Sequence, residues 1–162
     1  MTAARRTRKR HVFLTVLVLA LGGLAPVLQA ATTERVVVDR HTGLAIFGID
    51  PVAYFTERNP TIGRQDFELR HAGAVWRFEN AGNRAAFAAD PEVYMPQFGG
   101  YDPVGISRGR AQPGYPALWV VNEQRLYLFY TGEARAAFMA DPASVITVAT
   151  ARWSAIRSEL AE

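Results

Sequence analysis

Apolar and polar positions along this chain follow a pattern that is written twice. Phe67, Leu69 and His71 alternate with Glu68 and Arg70, the period of a strand with one buried face. Ala72-Gly73 makes a tight turn and Val75 to Phe78 returns, which predicts a β-hairpin. Asn80 is placed to cap a helix running to about Ala89, with Phe87 anchoring it on the hairpin. Asp90-Pro91 opens another short turn that Val93 and Tyr94 pack down. The series then recurs. Leu118 to Val121 and Leu126 to Tyr130 predict a second hairpin across Asn122-Glu123-Gln124-Arg125. Thr131 caps a second helix, with Glu133 in the first turn where negative charge is favoured. Phe138 takes the place of Phe87, and Asp141-Pro142 that of Asp90-Pro91. A terminal helix is predicted over 149–160, with Trp153, Ile156 and Leu160 at helical spacing.

The duplication is visible in the letters. Residues 84–91 and 135–142 differ only at Ala88 and Met139. Val75-Trp76-Arg77-Phe78 aligns with Leu126-Tyr127-Leu128-Phe129, and Gly48-Ile49-Asp50-Pro51-Val52 with Gly100-Tyr101-Asp102-Pro103-Val104. Asp50 before Pro51 is a good helix start, since a carboxylate accepts backbone N–H bonds and proline suits the first helical position. The expected fold is α+β: two hairpin-plus-helix units, about 48–94 and 100–145, sharing one core and closed by a C-terminal helix. A single unit of about fifty residues is marginal alone. Residues 57–65 read as a loop, and 95–116, rich in glycine and proline, as a long one of the kind that often carries function.

The N-terminus stands apart. Arg5, Arg6, Arg8, Lys9 and Arg10 precede an apolar run from Val12 to Leu24, and Leu28-Gln29-Ala30-Ala31 offers small residues for cleavage. That order predicts a secretory signal over 1–30, an uncleaved membrane anchor being the alternative. Residues 31–42 form a polar lead-in with a β-like run at Val36 to Val38, and the domain proper spans 43–162. The whole chain has 18 basic and 15 acidic residues. Five of the basic ones lie in the leader, so the remainder carries 13 against 15, a formal charge of −2. The high isoelectric point belongs to the leader, and a basic face for nucleic acid is not supported. After cleavage nothing holds the chain to a membrane. It is expected in the periplasm or outside the cell. There is no cysteine, which excludes disulfides, thiol catalysis and thiolate metal sites.

The unit resembles the YHS domain family, whose members pair an Asp-Pro-Val start with a hairpin ending in aromatic-x-Phe, then a helix with Phe and a later Pro. Here the fragments are Asp50-Pro51-Val52 with Phe78, Phe87 and Pro91, and Asp102-Pro103-Val104 with Phe129, Phe138 and Pro142. The stretch from Gly43 to Leu160 is similar to the longer exported members, through residues 48–55, Pro96-Gln97-Phe98-Gly99-Gly100-Tyr101 and Leu126-Tyr127-Leu128. The resemblance implies the fold. It does not carry the family's metal function, because the cysteine positions hold Ala53, Glu79 and Asn83 in the first unit and Gly105, Tyr130 and Ala134 in the second. The position after Gly-Gly-Tyr, a cysteine or selenocysteine in many exported relatives, is Asp102.

These readings favour a non-catalytic binding or accessory module, its partner a small ligand or another exported protein. Its pocket is expected where the two Asp-Pro-Val starts meet the 95–116 segment, lined by Asp50, Tyr54, Phe98, Tyr101, Asp102 and Arg108. Ser107-Arg108-Gly109-Arg110 offers two guanidinium forks to an anion. Two alternatives stand beside this. Asp50, Glu79 and Asp102 are oxygen ligands for a hard cation, though no loop has calcium-binding spacing. Asp102 with Tyr101 or His71 as acid–base partner is the enzyme reading, which needs those groups within hydrogen-bond reach. The repeat favours helix capping for Asp102, which precedes Pro103 as Asp50 precedes Pro51, and a histidine near a turn, like His71, is more often a hydrogen-bonded structural residue than a ligand or base. His41 lies before the domain and is expected to be exposed. No cofactor is implied.

Overall fold

The computed structural model describes residues 35–160; the expected leader lies outside the described residues. The elements run α1 (Ala53–Thr56), β1 (Arg64–His71), β2 (Ala74–Phe78), α2 (Ala81–Ala89), α3 (Pro91–Tyr94), α4 (Pro103–Ser107), β3 (Tyr115–Asn122), β4 (Arg125–Phe129), α5 (Gly132–Ala140) and α6 (Pro142–Glu159). The fold is α+β: two antiparallel two-stranded ribbons, β1-β2 and β3-β4, with helices packed on them. No helix among the described residues is long and apolar enough to cross a membrane.

The repeat holds down to single hydrogen bonds. Each hairpin has one register shift in the same place, between the pairs Arg64↔Phe78 and Glu68↔Arg77 in the first and between Tyr115↔Phe129 and Trp119↔Leu128 in the second. Each closes on two residues with positive φ, Ala72-Gly73 and Glu123-Gln124. Asn80 and Thr131 cap α2 and α5 through the N–H groups of Asn83 and Ala134. Before each Asp-Pro the chain makes a left-handed turn of three residues, Ile46, Phe47 and Gly48 in one unit and Phe98, Gly99 and Gly100 in the other. The bond from Gly63 N–H to the Gly48 carbonyl has its twin from Gly114 N–H to the Gly100 carbonyl, both at 2.9 Å.

The core shows why two units were needed. A lone hairpin is marginal in water and must bury a face. Trp76, Phe78 and Phe87 are fully buried, with Phe87 5.0 and 5.1 Å from the other two rings. Tyr127, Phe129 and Phe138 repeat the cluster at 4.9 and 5.1 Å. The second hairpin sits between the two clusters. Leu126 and Leu128 of β4 join the first, and Tyr127 and Phe129 on the opposite face join the second. Successive residues of a strand point to opposite faces, so β4 holds both units together.

Four expectations are corrected. The segment 95–116 is not a loop. It contains the turn Gln97–Gly100, helix α4 and the start of β3, because Asp102 and Pro103 open a helix there as Asp50 and Pro51 do upstream. β3 also begins three residues earlier than the apolar run suggests. The terminal helix begins at Pro142 rather than 149. Asp141 accepts the Ser144 N–H at 3.1 Å, and no proline stops the run, whereas Pro96 lies just beyond α3. The lead-in is not merely polar: Val36 and Val37 are buried, one in each cluster, and Val37 N–H bonds the Gly99 carbonyl at 2.8 Å.

Candidate functional site

Asp50 and Asp102 are the only fully buried charged residues among those described, at 0% and 1% exposure. Each pins a short helix to the end of its hairpin. Asp50 Oδ1 accepts the Val52 N–H at 2.8 Å, and its Oδ2 accepts the Glu79 N–H at 2.8 Å and the Asn83 side-chain amide at 2.7 Å. Asp102 Oδ1 accepts the N–H groups of Val104 at 2.8 Å and Gly105 at 3.2 Å, and its Oδ2 that of Tyr130 at 3.0 Å. A buried carboxylate is tolerable only with such partners. Both oxygens of both residues are engaged in holding backbone.

The other residues expected at one pocket are dispersed. Tyr54 is buried, its hydroxyl donates to the Pro116 carbonyl at 3.0 Å, and its ring meets Trp119 edge-on at 5.3 Å. Burial pushes that hydroxyl's pKa far above its usual value. Tyr101 is buried beside Trp153, ring centroids 6.2 Å apart. Asp102 and Arg108 do line a common small cleft of about 240 Å³, with Arg110, Gln112, Tyr130 and Glu133. Phe98 lines a different and larger cleft. Asp50, Tyr54 and Tyr101 line neither.

Near Asp50 lies a pair of carboxyls. The Glu79 carboxyl is held above its ordinary value first by a hydrogen bond shared with Glu57, then by the Glu57 charge, with burial and Asp50 adding to it. The Thr61 hydroxyl donates to Glu57 at 2.9 Å. Among the described residues, no group of three or more acidic or histidine side chains is arranged to hold a metal ion. His71 lines the larger cleft and Asp102 the smaller. The His71 ring stands edge-on to Phe87 at 5.7 Å, and its carbonyl accepts the Trp76 indole N–H at 3.0 Å.

The larger cleft measures about 600 Å³, within the range of small-molecule sites. Four stretches build it: Arg35, Val36 and Val38 in the lead-in, the first hairpin turn at 71–74, Glu92 with residues 95–99, and one face of α6. Phe98, Met95 and Trp153 give it an apolar wall, and Arg35, Arg157 and Thr150 bring polar groups. Phe98 and Trp153 brace each other at 5.8 Å, ring planes at 78°. The sequence reading reached Phe98 and the 95–99 stretch. It missed Arg35, taken for lead-in, and Arg157. The available signal was the spacing of Thr150, Trp153 and Arg157, which puts all three on one helix face. No family model, curated protein or solved structure matches the chain.

Proposed function

We propose that this chain is an exported, YHS-like binding module that does no chemistry of its own and takes a small ligand in the cleft beside residues 95–99. The observation that carries the reading is that cleft: about 600 Å³, with one apolar wall and a few polar groups, borne on a helix and a hairpin turn. The YHS likeness draws support from the two Asp-Pro-Val starts, each tied by its aspartate to the end of a hairpin. The hard-cation and enzyme readings have less behind them. Asp50 and Asp102 spend their oxygens on N–H groups, and His71 belongs to another cleft than Asp102.

A fragment screen followed by amide chemical-shift mapping tests the proposal. Saturable shifts are expected at Gly73, Gly99 and the Trp153 indole. They should vanish in Thr150→Trp, a substitution on an exposed helix position that fills the cleft. A broad screen that moves none of these signals would remove the proposal.

A further inference from the structure

Resting on that reading, we propose that the ligand of the larger cleft is a small organic monoanion, a carboxylate carried on a flat apolar body. Two arginines, Arg35 and Arg157, stand on its wall against one acidic residue, Glu92. Arg157 is exposed on the last turn of α6 and has no ion-pair partner among the described residues. A guanidinium binds a carboxylate through two parallel N–H bonds. Thr150, one turn before Trp153 on the same helix face, adds a hydroxyl donor, and Gln97 an amide. The rest of the lining is of another kind. Phe98 and Trp153 meet edge to face beside Met95 and Pro96, which suits a ring rather than a sugar or a free inorganic ion.

Two features set the charge at one. Arg157 lies in the last turn of α6, where the backbone carbonyls present partial negative charge. Glu92 adds a full one. Both oppose a dianion such as a phosphate monoester, while one carboxylate is matched by Arg157. The volume leaves room for a body of one or two rings beyond the carboxylate.

The test compares 1-naphthoate with its neutral isostere 1-naphthamide on the purified protein, by fluorescence titration and amide shift mapping. Naphthoate should bind in the cleft about tenfold tighter, the worth of one charge-assisted pair. Arg157→Gln, at an exposed position on α6, should cut that preference at least threefold. Equal affinity of the two probes in the wild-type cleft overturns the ligand class and leaves the binding module standing. A preference that survives Arg157→Gln, or that maps to Arg108 and Arg110, overturns the site of the anion. No shift at Gly73, Gly99 or Trp153 with either probe defeats both the inference and the reading beneath it.

Discussion

Asp50 and Asp102 are where the sequence offered two readings and the geometry favours one. Each was recognisable as a helix start from the following proline. What could not be read is the third bond, to the N–H of Glu79 or Tyr130, because it joins residues 29 and 28 positions away. Truncating Asp102 to alanine strands three N–H groups, two of them in the interior, and should lower stability by about 2–4 kcal/mol in urea unfolding. The Glu57–Glu79 pair gives a second expectation. A carboxyl whose folded pKa lies above its unfolded value holds its proton more tightly when folded. Its stabilisation is whole below the ordinary value of 4.5 and is lost as pH rises through the raised one. Glu79→Gln removes that dependence. Thermal melts should show the variant gaining on wild type at pH 7 and not at pH 4.

Hairpins and capped helices were legible because their signals are local: alternation in Phe67 to His71, Asn80 and Thr131 at the caps. Their limits were less so. The terminal helix runs from Pro142 because Asp141 caps it and nothing after it breaks it, a matter of continuation that periodicity around Trp153 does not show. The two hairpin turns differ in one telling way. Both take positive φ at their two central positions, but the first has Gly73 where the second has Gln124, at φ 82° and 58°. A side chain there is strained. Gln124→Gly should therefore stabilise the protein by about 0.5–1 kcal/mol, read from the denaturation midpoint at unchanged slope. A loss of stability would mean that the second turn is not of this type.

The two units behave as one molecule because β4 serves both clusters. Phe87 and Phe138, each fully buried against two rings, should be equivalent. Replacing either with alanine should cost about 3–5 kcal/mol, and unfolding should stay a single transition in both variants. Two separated transitions would contradict a body held together through β4. This level of the fold followed from the written repeat. The cleft did not, because Arg35, Gly73, Phe98 and Arg157 come from four stretches that no local pattern connects. Chemistry-bearing letters drew attention to Asp102 instead, whose carboxylate is spent on backbone.

The most direct test sets these two places against each other. Ligands found by the fragment screen are titrated into wild type, Asp102→Ala and Thr150→Trp, with folding checked for each. Recognition in the larger cleft predicts that Asp102→Ala melts lower yet keeps its affinity within about twofold, a difference of about 0.4 kcal/mol, while Thr150→Trp melts like wild type and no longer binds. Binding lost with Asp102 and kept in Thr150→Trp would move the site to the Asp-Pro-Val start and contradict the account.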